Sequence, residues 1–205
     1  MFSTADFFVF MSNLRPTVMK FGGTSVQDAD AFRRVAEIVG GEKENSPVVV
    51  TSAMSKVTDA LLNAFEIARR DEPAEAFESL EPHFERHMEV ARQLISPEQQ
   101  AKFAEELEKS KNELREILQR VSRRSLPLQL LKDVVVAYGE QLSSRLLTEV
   151  CKASGLNARH SDARRLIMTD DEHGAANPLW SETERIVQLE LHPLVNSGEI
   201  PVMGG

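Results

Sequence analysis

Three short clusters hold the residues best able to do chemistry, and each sits where an apolar run gives way to a turn or break. The first is Lys20-Phe21-Gly22-Gly23-Thr24-Ser25. Adjacent glycines let backbone N–H groups approach an anion closely. A helix starting just beyond adds its positive end, and Lys20 supplies a mobile cation for phosphate. The order is not that of a P-loop, in which Lys-Ser/Thr follows the second Gly. No G-x-G-x-x-G dinucleotide fingerprint is present either. On these residues alone, an anion cradle and a plain glycine turn with a surface lysine stand level.

The second cluster is Thr51-Ser52-Ala53-Met54-Ser55-Lys56-Val57-Thr58, with four hydroxyls and one cation. Open parallel sheets bind ligands at such strand-to-helix turns, and hydroxyls donate to carboxylate or phosphate. The competing reading is a capping loop with Thr58 as N-cap. The third is Tyr138-Gly139-Glu140-Gln141-Leu142-Ser143-Ser144, where a Gly-Glu pair interrupts an apolar helix. Glu140 there suits an ammonium group, and the alternative is a helix kink with a solvated acid. His83 and His87 have the i, i+4 spacing of a zinc pair, but Phe84 stands where a metalloprotease needs Glu, so no metal ligands are assigned. Cys151, on an apolar helix face without an evident His partner, reads as a buried structural thiol.

The elements that must position these clusters follow from apolar spacing. Thr17-Val18-Met19-Lys20-Phe21 reads as a short buried strand, and Ala31, Val35, Ile38 and Val39 as the helix after it. Val48-Val49-Val50-Thr51 is a second buried strand, followed by a helix with Leu61, Leu62, Phe65 and Ile67. Two amphipathic runs, Leu80 to Ile95 and Phe103 to Val121, predict an antiparallel helical hairpin within 71–121, projecting from one side. Further elements are an apolar helix over Leu128–Cys151, short strands at Asn157–His160 and Leu166–Thr169, a helix over Glu182–Asn196 and a strand at Ile200–Met203. The alternation predicts an α/β fold: a three-layer α/β/α sandwich on a mostly parallel sheet.

Composition narrows the function classes. The chain has 205 residues, with 32 acidic and 24 basic side chains and a net charge of −8. From Asp71 to Glu116 there are 13 acidic and 6 basic residues, so nearly all the excess lies on the helical hairpin as a solvated face. Nucleic acid is not an expected partner, because phosphate binding needs clustered Lys and Arg. A membrane is not expected either, since no apolar run approaches the roughly 20 residues of a span. One cysteine allows no intrachain disulfide, which favours a reducing, cytoplasmic setting. Residues 1–15 are expected to form a disordered extension, with Met11 an alternative start.

The Lys20–Ser25 block resembles the opening motif of aspartokinases in the amino-acid kinase family. Val49-Val50-Thr51-Ser52-Ala53-Met54, Thr58-Asp59, Tyr138 to Ser144, Asp162-Ala163-Arg164 and Ile200 to Gly205 are similar in the same order. The resemblance implies ATP- and Mg2+-dependent phosphorylation of the side-chain carboxylate of L-aspartate to 4-phospho-L-aspartate, which begins lysine, threonine and methionine synthesis. By position, Lys20 would be catalytic and contact the transferring phosphate. Gly22, Gly23 and Thr24 would bind phosphate or ATP. Ser52 and Thr58 would hold the substrate, and Glu140 would take its ammonium. A carboxylate with a pKa of ~4 is already ionised at neutral pH and needs no general base, so such catalysis rests on positioning and charge neutralisation.

Members of that family continue beyond the position of Gly205 with most nucleotide contacts and usually with regulatory domains. Residues 16–205 are therefore expected to be the N-terminal portion of the kinase domain, nearly inactive alone, and part of a protein that forms homo-oligomers. The alternatives are the kinase part of a fusion to homoserine dehydrogenase, a non-catalytic binding module built on the acidic hairpin, and a nicotinamide-dependent dehydrogenase.

Overall fold

A computed structural model of the protein describes residues 15–205. The expected extension therefore lies, apart from Arg15, outside the described residues. Strand β1 (Val18–Phe21) leads through a 3-10 turn (Gly23–Val26) into α1 (Ala29–Gly41), which Asp28 caps by accepting from the Ala31 N–H. Then follow β2 (Val48–Thr51), α2 (Val57–Ala68), α3 (Pro73–Glu78), α4 (Glu81–Leu94), α5 (Pro97–Arg123) and α6 (Leu128–Ala153). The chain closes with β3 (Ala158–His160), α7 (Ala163–Leu166), α8 (Trp180–Glu190), α9 (His192–Asn196) and β4 (Ile200–Gly204).

The four strands form one parallel sheet in the order β1-β2-β4-β3. Parallel strands need crossovers, and helices here cover both faces. On the first face Met19, Phe21, Val49, Val202 and Ala158 join Phe32 and Val35 of α1 and Leu146 of α6 in the main core. On the second face Val48 and Met203 meet Leu166, Leu191 and Val195. The expected three-layer α/β/α sandwich is thus the observed architecture.

Several local expectations are corrected. Strand β1 is an edge rather than a buried strand: Met19 and Phe21 turn inward, whereas Val18 is 66% exposed and Lys20 is exposed. The helices of the second face pack on Val48, Val50 and Met203 and leave Val18 uncovered. Leu166–Thr169 is not a strand. It is the end of a helical turn followed by a single antiparallel bridge, Thr169 to Pro178. The helix expected over Glu182–Asn196 is broken at Leu191, and Pro193 lies in the first turn of the second piece.

The hairpin of α4 and α5 is antiparallel. Its reversal is fixed by a capping box in which Ser96 and Gln99 satisfy each other's backbone N–H groups. It does not project, however. Phe84, Val90, Phe103, Leu107, Leu114 and Leu118 are buried in the same core as the sheet. Its charges do face water, as exposed pairs such as Arg92 with Glu85 and Glu89, and Lys102 with Glu98. Among the described residues no helix is long and apolar enough to cross a membrane.

Candidate active site

The three clusters meet at the C-terminal ends of the parallel strands, where the geometry of such sheets leaves a crevice. The Gly22–Gly23 turn lies directly on the loop after β2. Ser52 N–H donates to Phe21 O at 3.0 Å, and Ser55 N–H donates to Gly23 O at 3.2 Å. A side chain at position 23 would put its Cβ 2.9 Å from Ala53 O, so only glycine permits this approach. Gly22 has open space around its Cα and is exposed, as are Lys20 and Thr24. Among the described residues no carboxylate pairs with Lys20, which stands one residue before the end of β1 on the uncovered face.

Helix α6 closes the site from the first face. A Cβ on Gly139 would fall 2.7 Å from the Ala53 Cβ, so this glycine lets the helix press onto the loop. The helix is not interrupted at Gly139: α6 runs unbroken from Leu128 to Ala153. One residue on, Glu140 Oε1 accepts from the Ala53 N–H over 3.4 Å. The buried Ser143 hydroxyl donates to Ser52 O at 2.6 Å. The end of β4 completes the floor: Gly205 N–H donates to Thr51 O at 3.1 Å, and a Cβ on Gly204 would stand 2.8 Å from the Glu140 Cβ. Burial pushes the Glu140 carboxyl above its ordinary pKa, with the N–H groups around it, including that of Ala53, pulling the other way.

Glu140 forms part of the wall of a cavity of about 740 Å³ between α6 and the ends of β3 and β4. Ser144, His160, Asp162 and Arg164 share that wall. The Ser144 hydroxyl donates to Gln141 O, and its Oγ lies within hydrogen-bond distance of His160 Nε2, at 3.2 Å. Burial first, and Arg145 next, push the His160 imidazole down to about 4, so it is neutral at pH 7. Asp162 caps α7 and holds Arg164 at 2.6 Å, which keeps the Asp162 carboxyl below its usual pKa. Lys20, Gly22, Gly23, Thr24, Ser52 and Thr58 do not line this cavity. They lie along the adjoining turns, and Glu140 bridges the two regions.

Thr58 is not the cap of α2. Lys56 holds that place with a left-handed backbone (φ 69°), and Thr58 is half-buried in the first turn. His160 enters the site without a spacing signal in the sequence, whereas Ser144, Asp162 and Arg164 are part of blocks that carry the resemblance. His87 is fully buried, its Nδ1–H on the His83 carbonyl at 2.7 Å, so the His83–His87 pair is a core feature. Cys151 is buried, and burial pushes its thiol up to about 12. Among the described residues no three His, Cys, Asp or Glu side chains gather as a metal site.

A parallel α/β sandwich that gathers a Lys-Phe-Gly-Gly turn, a hydroxyl-rich loop and a half-buried carboxylate at its strand ends has the form of an α/β protein with a ligand crevice at those ends. The chain belongs to the amino acid kinase family, whose model matches residues 15–205. It is 30% identical over 187 residues to lysine-sensitive aspartokinase 3 of Escherichia coli, covering 91% of this chain and 40% of that protein. It is 31% identical over 173 residues to the chloroplastic bifunctional aspartokinase/homoserine dehydrogenase 2 of Zea mays, covering 84% of this chain and 19% of that protein. The crystal structure of E. coli aspartokinase III in complex with aspartate and ADP superposes with a TM-score of 0.81 at 29% identity, over 93% of this chain and 40% of that one. The resemblance carried by the Lys20–Ser25 block and its successors is borne out. The chain spans 40% or less of the length of these relatives.

Proposed function

We propose that this chain is the acceptor-holding part of a kinase that transfers the γ-phosphoryl group of ATP to the side-chain carboxylate of L-aspartate. The observation that supports this most directly is the placement of Glu140. A half-buried carboxylate stands where the Ala53 loop, α6 and the end of β4 meet, beside a turn built for an anion.

The residues divide the work by charge. Glu140 accepts hydrogen bonds from the substrate ammonium, and the hydroxyls of Ser52 and Thr58 donate to its carboxylate oxygens. Across the crevice Lys20 and the N–H groups of Gly22, Gly23 and Thr24 face the transferring phosphoryl group. Two anions must approach each other, so the rate gain comes from holding them in line and neutralising the charge that builds up between them. The acceptor is already ionised, and no side chain has to remove a proton. The described residues do not fit Mg2+ as a protein-held ion, since no carboxylate cluster is present. The metal belongs with the nucleotide phosphates.

The kinase portion of a bifunctional aspartokinase/homoserine dehydrogenase is the second reading, favoured by relatives of both kinds at 31% and 30% identity. The same phosphoryl transfer would make the first intermediate of lysine, threonine and methionine synthesis. The buried, unpaired Cys151 suits a reducing compartment such as the cytoplasm. Titration calorimetry with L-aspartate and with succinate, which lacks the ammonium, tests the acceptor site. Saturable binding of L-aspartate alone is expected, and equal binding of both would remove the role of Glu140.

A further inference from the structure

One residue of the acidic hairpin reaches the loop after β2. Arg86 of α4 donates from Nη2 to the carbonyl of Ser55 at 2.5 Å, linking positions 31 apart in sequence. Its Nε is buried without a hydrogen-bond partner. Desolvation pulls the guanidinium pKa below its ordinary value, and among the described residues no carboxylate offsets it. A half-buried arginine with no counter-charge is costly. Among the described residues its one hydrogen bond goes to the loop after β2, which carries Ser52 and leads to Thr58.

That bond completes a clamp. The N–H of Ser55 is held by Gly23 O at 3.2 Å, and its C=O is held by Arg86. The next residue, Lys56, has a left-handed backbone (φ 69°) that a lysine adopts only when its surroundings fix it. Val57 N–H then closes the turn on Met54 O at 3.0 Å. The Ser55 peptide is therefore fastened to the phosphate-side turn on one side and to the hairpin on the other.

We infer that Arg86 is a positioning residue for the acceptor loop: brought from the hairpin onto the Ser55 carbonyl, it locks the Ser52–Lys56 turn against the Gly22–Gly23 turn and so sets the Ser52 and Thr58 hydroxyls. The hairpin is then a brace for the site as well as a solvated surface. The loop geometry stands without the kinase reading; its effect on L-aspartate rests on that reading.

Two measurements on the intact chain separate these claims. The first is hydrogen exchange of the Ser55 amide by NMR, and the second is L-aspartate affinity by calorimetry. In Arg86→Met the Ser55 amide is expected to exchange about tenfold faster while Val49 and Val50 of β2 are unchanged, and L-aspartate to bind about tenfold more weakly. Arg86→Lys, which still reaches the carbonyl with a charge, is expected to restore most of both. Arg92→Met, an exposed change on the same helix, is expected to alter neither. An unchanged Ser55 amide in Arg86→Met overturns the clamp, and faster exchange with unaltered affinity overturns its role in substrate binding. If the wild-type chain binds no L-aspartate, faster exchange still upholds the clamp while the kinase reading falls. If Arg86→Met does not fold, Arg86→Lys decides: Ser55 protection near wild type upholds the clamp, and protection as low as in the unfolded chain overturns it.

Discussion

Gly139 of α6 and Ala53 of the loop after β2 are packed so closely that a methyl group on the glycine would sit 2.7 Å from the alanine Cβ. In a free helix, alanine is favoured over glycine by about 1 kcal/mol. Here the clash outweighs that gain. Gly139→Ala is expected to destabilise the fold by about 1–3 kcal/mol, as overpacking does, and to weaken ligand binding by displacing the loop. Adding Ala53→Gly removes the opposing methyl and is expected to recover most of the loss. Chemical denaturation of the two single variants and the double variant measures the coupling.

Glu140→Gln separates function from stability. Burial raises the Glu140 pKa in the folded chain, so the folded state binds the proton more tightly than the unfolded one. Stability therefore falls as pH rises from the ordinary carboxylate range through the folded value. Glutamine has no charge to desolvate, so the melting temperature at pH 7 is expected to hold or rise. Affinity for L-aspartate is expected to drop at least about tenfold, because a charge-assisted bond to the ammonium is lost. Calorimetry and thermal unfolding on the same samples read both.

Acid sensitivity is expected from His87. Burial pushes its pKa from 6.5 to about 4, so the folded state holds it neutral. For a base with a depressed pKa, stability is full above the unfolded value and is lost as pH falls from 6.5 toward 4. At the low end the loss is about 3 kcal/mol, from 1.36 kcal/mol per pKa unit. His160, also pushed down to about 4, adds to the same slope. Denaturation midpoints between pH 7 and 4 should fall in the wild type and fall less steeply in His87→Met.

Much of the scaffold was legible in residue order, because local chemistry decides it. The β-branched run Val48-Val49-Val50 became β2, and the four- and three-residue steps from Leu80 and Phe103 became α4 and α5. The glycine turn at Gly22-Gly23 also falls where a strand end meets a helix start. What was not legible depends on partners distant in sequence. A glycine needed for close approach and one marking a kink look alike in sequence, so the role of Gly139 could not be read there. Lys56, not Thr58, caps α2, and the Ser55 residue before it is held by Gly23 and Arg86, both distant in sequence. Strand β1 has the apolar residues of a buried strand, but its place at the sheet edge leaves Val18 bare. Arg86, lying 31 residues from Ser55 within an acidic segment, gave no signal at all.

The most direct test of phosphoryl transfer at this site joins residues 15–205 to the remaining segment of E. coli aspartokinase 3 and traps the acyl phosphate with hydroxylamine. A folded chimera is expected to form the hydroxamate only with both ATP and L-aspartate. Lys20→Ala should reduce it at least about a hundredfold, the scale of losing one stabilising group at a transferring phosphate, with an unchanged circular dichroism spectrum. A folded chimera that forms no hydroxamate, or a Lys20→Ala variant that forms as much as the parent, would contradict the assignment.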